Sequence, residues 1–205
     1  MLNEIFDKHN AKKHPHFASI YEEWFEKNRD KITSILEIGI YEGGSLNSWA
    51  EYFPNAEIYG IDVKEKEWSF ISDRIHPFIG SQSDKEFLKK TFDNIKFDII
   101  IDDGCHFMEH QRASMKMLFK YIKPGGVYII EDLHTSYWPK YGGMLKGKET
   151  TVEKLKSFVD GLNHKAYKGD KRAEKYMSKK HANFYDKNIE SVHFYKSICF
   201  IRRRK

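Results

Sequence analysis

Apolar positions along this chain switch between two periods. In residues 17–30, FASIYEEWFEKNRD, the positions Phe17, Ile20, Tyr21, Trp24 and Phe25 fall at i, i+3, i+4, i+7 and i+8. That spacing predicts an amphipathic helix. Residues 34–40, SILEIGI, form a short apolar run ending beside glycine and predict a strand. A helix is expected over 45–53, with Ser45 as its N-cap. Residues 57–63 alternate as a strand, and HPFIG at 76–80 supplies a third. Helix 84–92 follows, capped by Asp84. FDIIID at 97–102 is the continuous apolar run of a buried parallel strand. A helix over 110–122 closes at KPGG, and 127–132 predicts another strand. SVHFYKSICFIRR at 191–203 alternates again and predicts a hairpin turning at Lys196–Ser197.

Strand and helix alternate, so the fold class is α/β: a doubly wound, mostly parallel, seven-stranded Rossmann-like sheet with a C-terminal antiparallel hairpin. The 205 residues fit a single domain. Its expected parts are an N-terminal helical cap at 1–33, a core at 34–139, a hairpin at 184–205 and an insertion or lid at 140–183. The last is rich in Lys and Gly, with one helix at 151–162.

Charge narrows the partners. A net charge of +5 comes from 35 basic residues interspersed with 30 acidic ones, without the concentrated basic face of a nucleic-acid reader. The terminal RRRK reads as a solvated tail. Two cysteines, Cys105 and Cys199, make neither a disulfide framework nor a zinc pattern. A reducing, cytoplasmic setting is the expectation. The N-terminus lacks the apolar segment of a signal peptide, and no run approaches the ~20 apolar residues that span a bilayer.

The first βα turn, EIGIYEGGS, carries the first chemistry. Gly39 lets the chain leave the strand tightly, and Gly43 and Gly44 let a ligand approach bare backbone at a helix start. Asp62, ending the second strand, is placed to accept both hydroxyls of a ribose. Glu37, just before the first glycine, makes the turn acidic. It suits an adenosine ligand with a cationic sulfonium better than a pyrophosphate. In GSQSD at 80–84, Gln82 and Ser83 could bond an adenine edge, with helix capping as the plainer reading of Ser83.

Two further strands end in paired acids, Asp102–Asp103 and Glu131–Asp132. Neighbouring strand ends lie ~5 Å apart. Asp103, Glu131 and Asp132 can therefore converge, and close carboxylates need a cation. Oxygen ligands point to Mg²⁺, with Mn²⁺ or Ca²⁺ as alternatives. Zinc is disfavoured, since histidine is the sole nitrogen donor and no thiolate pair exists. His106 follows on the same loop and can take a proton from a hydroxyl bound there. In the next segment, His134, Tyr137 and Trp138 are candidate walls of an acceptor pocket, with loop packing the plainer reading of the aromatics.

Taken in order, LEIGIYEGGSLNSWAEYFPNAEIYGIDV, GSQSD, DIIIDDGCHFMEHQ, KPGGVYIIEDLHTSYWP and YGG resemble the class I S-adenosylmethionine-dependent methyltransferases. Within them the chain is similar to the metal-dependent O-methyltransferases of macrolide sugars and of bacterial capsule and polysaccharide clusters. That resemblance implies Mg²⁺ on Asp103, Glu131 and Asp132, and His106 as general base. It also implies S-adenosylmethionine held by Glu37, Gly39, Ser45, Asp62, Gln82, Ser83 and Asp102. The acceptor it implies is a small sugar or nucleotide-sugar, and it leaves a homo-oligomer open. Cys105 and Ser81 depart from the family's serine and acid at those places. Three rivals stand beside it: metal-independent N-methylation of an amino sugar, a non-enzymatic nucleotide-binding module, and redox chemistry on two histidines and a carboxylate. The last is set aside because the chain reads as an acid-only set.

Overall fold

The computed structural model describes residues 1–163, 169–172, 174 and 183–205. In chain order the main elements begin with α1 (Leu2–Lys8), α2 (Pro15–Phe25), β1 (Ser34–Ile38) and α3 (Gly44–Tyr52). Next come β2 (Glu57–Asp62), β3 (Ile75–Ile79), α4 (Lys85–Phe92), β4 (Phe97–Asp102), α5 (Met108–Leu118) and β5 (Ile122–Ile130). The chain then forms α6 (Thr151–Leu162), α7 (Phe184–Asn188), β6 (Ile189–Tyr195) and β7 (Ile198–Arg203). Seven strands form one sheet in the order β3-β2-β1-β4-β5-β7-β6. The first five are parallel, and β7 pairs antiparallel to both β5 and β6. This is the doubly wound sheet with a terminal hairpin that the alternation predicts.

Period-two burial divides the sheet into two faces. Ile35, Ile58, Ile99, Ile101 and Ile129 pack with α1, α2 and α3, while Leu36, Ile38, Ile100 and Ile130 pack with α4, α5 and α6. β1 is buried along its whole length, as a central strand covered on both faces must be. No described helix is long and apolar enough to cross a membrane.

Two local expectations give way. Ser45 does not cap α3: Gly43, at φ 85°, holds the cap position, and Ser45 turns its hydroxyl inward to Glu37. The helix expected over 110–122 ends at Leu118, runs into a 3-10 turn over Phe119–Tyr121, and leaves KPGG inside β5. There the pairing with β4 shifts between Phe97–Ile122 and Ile99–Val127, so the glycines form a bulge rather than a helix stop. The helix expected at 151–162 is α6, Thr151–Leu162, which buries Leu155 and Phe158 against the core. Of the expected insertion, residues 164–168, 173 and 175–182 lie outside the described residues.

Candidate active site

β1, β4 and β5 end side by side, with Ile38 opposite Asp102 and Asp102 opposite Ile130. The turns leaving them therefore crowd one edge. At Gly39, φ is 95°, and a Cβ would lie 2.3 Å from the carbonyl oxygen of Asp103. Only glycine permits the two turns to pass so closely. Tyr41, His106 and Asp132 also take positive φ, at 52°, 58° and 53°. Such strained non-glycine residues gather at functional sites, and these three stand on adjacent turns.

Two cavities open here. One, of about 410 Å³, is lined by Gly39, Asp62, Gln82, Gly104, Cys105 and His110 among others. The second, of about 250 Å³, is lined by Lys12, Ser45, Asp103, His106 and Asp132 among others. Gly39, Tyr41, Asp103 and Gly104 line both, so the cavities meet at the tips of β1 and β4.

Each candidate residue has a definite place. Asp62 accepts the backbone N–H groups of Ile40 and Tyr41 on Oδ2 and that of Lys64 on Oδ1, which fixes the β1 turn beside the larger cavity. Gln82 lines that cavity while its amide donates to Asp102 and its oxygen accepts from Cys105 N–H. Asp102 is fully buried and also accepts from Ser114. Burial pushes its carboxyl up to about 6 against the pull of those bonds. Ser83 bonds His110 instead of facing the larger cavity. Glu37 is buried beneath the turn, with Lys13 on Oε1 and both Ser45 and Trp49 on Oε2. Its carboxylate thus holds the turn from below. Gly43 packs against the rings of Phe70 and Trp68.

The acids do not stand as an acid-only set. Lys13 Nζ, 1% exposed, lies 2.7 Å from Glu37, 2.7 Å from Asp103 and 3.0 Å from Glu131. Burial would lower this ammonium's pKa, but the three carboxylates, Asp103 foremost, hold it well above the usual lysine range. Glu131 also accepts from the Tyr21 hydroxyl at 2.6 Å. Burial raises the Glu131 carboxyl in spite of Lys13.

Asp132 turns the other way. Its Oδ2 lies 3.5 Å from His106 Nε2, and Asp103, His106 and Asp132 offer ligand atoms within 4.8 Å of one another. His106 Nδ1 and Asp132 Oδ1 are buried without a hydrogen-bond partner among the described residues. Two carboxylates, an imidazole and orphaned polar atoms fit a hard divalent cation. The expected trio is thus split: Asp103 and Asp132 meet at His106, while Glu131 joins Asp103 through Lys13. Tyr137 and Trp138 are half exposed. Tyr137 and His134 line a separate cavity of about 340 Å³ with Lys156 and Phe194, and Trp138 stands edge-on to His134, ring centres 4.7 Å apart.

Lys13, His14, Tyr21 and Trp49 were not legible as site residues. The signal available was KKHPHF, which crowds cations and imidazoles at the start of α2. Nothing local connects it to acids so far along the chain.

Known proteins similar to this chain are methyltransferases. Residues 36–133 match the family described as a methyltransferase domain. Mycinamicin VI 2''-O-methyltransferase of Micromonospora griseorubida is 35% identical over 199 residues, covering 91% of this chain and 48% of the relative. The 8-demethyl-8-alpha-L-rhamnosyl tetracenomycin-C 2'-O-methyltransferase of Streptomyces olivaceus is 34% identical over 197 residues, covering 92% and 50%. The solved structure of the MycE methyltransferase from the mycinamycin biosynthetic pathway, in complex with Mg and SAH, superposes with a TM-score of 0.88 at 32% identity. It covers 100% of this chain and 54% of that one. The chain spans about half the length of the relatives it matches.

Proposed function

From the match of residues 36–133 to the methyltransferase-domain family, we propose that the chain is an S-adenosylmethionine- and Mg²⁺-dependent O-methyltransferase acting on a sugar hydroxyl. The observation that carries this reading is the meeting of the two cavities at Gly39, Asp103 and Gly104. The larger cavity has the size and donor set for a nucleoside, with Asp62 at its rim. The smaller holds Asp103, His106 and Asp132. When bound, S-adenosylmethionine supplies an electrophilic methyl group and Mg²⁺ lowers the pKa of an acceptor hydroxyl. His106 then receives the proton, its Nε2 lying 3.5 Å from Asp132 Oδ2. The acids keep the acceptor oxygen in line with the donor cavity.

The acceptor class is a small sugar or nucleotide-sugar of a polysaccharide, capsule or natural-product pathway, handled in the cytoplasm, with homo-oligomers allowed. Similarity to enzymes named for natural-product sugars supports the sugar. The exposed rings of Tyr137 and Trp138 offer flat faces for it.

The test pairs calorimetry of S-adenosylhomocysteine binding with a methyl-transfer screen over nucleotide-sugars, capsule oligosaccharides and glycosylated natural products, with and without EDTA. Binding, and turnover that EDTA stops and Mg²⁺ restores, are expected. No S-adenosylhomocysteine binding sinks the reading. Full turnover in EDTA on an amino sugar replaces it with metal-independent N-methylation.

A further inference from the structure

The outer side of Asp132 carries a second constellation. His14 Nε2 lies 3.4 Å from Asp132 Oδ1, and His134 Nδ1 lies 3.9 Å from the same oxygen. The three ligand atoms fall within 4.8 Å of one another. Charge-assisted hydrogen bonds run ~2.7–2.9 Å, so neither pair is bonded at these distances, and Oδ1 stays buried with no partner among the described residues. Two ligands each ~2.0–2.1 Å from a tetrahedral ion lie about 3.3 Å apart. The 3.4 Å between His14 and Asp132 is the spacing of two ligands around an ion, and His134, at 3.9 Å, needs a small ring movement to join them.

We propose that His14, Asp132 and His134 form a second cation site, taking a borderline divalent ion of the Zn²⁺ or Co²⁺ kind through two imidazoles and one carboxylate oxygen. Two nitrogens and one oxygen suit such ions, whereas Mg²⁺ prefers oxygen alone. Three protein ligands leave a fourth position open, the pattern of a reactive site rather than a structural one. His14, half exposed, puts that position within reach of solvent.

The ligands are held. His14 is the residue before Pro15, in extended conformation at the start of α2. Asp132 is fixed in the left-handed region at φ 53°. The His134 ring stands edge-on to both Trp138 and His14, centres 4.7 and 5.9 Å away. Asp132 presents Oδ1 to this set and Oδ2 to His106. An ion held on the Oδ1 side would therefore leave Oδ2 free for Mg²⁺. The site does not depend on the methyl-transfer reading.

The experiment is a Co²⁺ titration of the full chain in saturating Mg²⁺, read by visible ligand-field absorption. Bands saturating at one equivalent are expected in the wild type. They should be lost in His14→Ala and in His134→Gln, and kept in His16→Ala and His106→Ala. His16 is the control because its ring points to the Lys196 carbonyl. Absence of bands in the wild type overturns the proposal, and so does their survival in His14→Ala. Melting curves establish that each variant is folded. S-adenosylhomocysteine binding by the same preparations decides the methyl-transfer reading separately.

Discussion

Lys13 Nζ and Asp103 Oδ2 are 2.7 Å apart, a bond that reaches from the segment before α2 to the turn after β4. The same ammonium touches Glu37 and Glu131. Lys13 is thus a tethered cation that joins Glu37, beneath the β1 turn, to Asp103 and Glu131. Removing one partner of a buried ion cluster costs about 3–5 kcal/mol, because the remaining charges are left unpaired. Lys13→Met should lower the melting temperature accordingly. A divalent ion would then meet a cluster with no resident cation, so Mg²⁺ should raise the melting point of the variant more than that of the wild type. Thermal melts with and without Mg²⁺ check both statements. Equal Mg²⁺ shifts in the two proteins would show that Lys13 and the ion do not share these acids.

His106 faces Asp132 across 3.5 Å and lines the cavity that meets the donor site. As proton acceptor it should contribute ~10²–10⁴-fold to turnover. His106→Ala is expected to lose that factor in kcat while binding S-adenosylhomocysteine as the wild type does. Calorimetry and a single-turnover assay separate the two. A drop in cofactor affinity with kcat preserved would assign His106 to the donor cavity.

Asp62 gathers three backbone N–H groups, from Ile40, Tyr41 and Lys64. The residue shapes the β1 turn, and under the proposed function it also offers an acceptor to a ribose. A hydrogen bond to a charged group is worth ~1.5–3 kcal/mol, or roughly 10–100-fold in affinity. Asp62→Ala should weaken S-adenosylhomocysteine by at least that factor in a calorimetric titration. Unchanged affinity would move the ribose elsewhere.

The sheet was legible because its central strands are uninterrupted apolar runs. FDIIID and SILEI admit few other readings, and the hairpin turned where Lys196–Ser197 predicted. Asp102, Asp103, Glu131 and Asp132 were legible because a strand end must leave its acids at the sheet edge. Partner choice was not. Ser45 looked like a cap, yet a buried glutamate attracted its hydroxyl more strongly. Lys13 and His14 carry no periodic signal, and their acids lie far along the chain, so only tertiary structure brings them together. For the same reason the site read as purely acidic, whereas the fold surrounds Asp132 with His14, His106 and His134.

Asp98, at the start of β4, contributes stability that acid removes. Its Oδ2 accepts the N–H groups of Thr33 and Ser34 and pairs with Lys123 at 2.8 Å. Partial burial works to raise this carboxyl, but Lys123 and the Thr33 amide outweigh it and hold the group below the usual aspartate range. A depressed folded pKa means the unfolded chain binds the proton more readily. The stabilisation is therefore complete above the unfolded value of ~3.9 and is lost as pH falls through the lower folded value. Asp98→Asn removes the charge at every pH. It should cost ~1–3 kcal/mol at neutral pH, with each kcal/mol worth ~2–4 °C in a chain of this size. The gap between wild type and variant should be constant from pH 7 down to about 5 and close at more acid pH. Melting curves of both proteins over that range check it. A gap that widens on acidification would reverse the sign and remove Asp98 from this role.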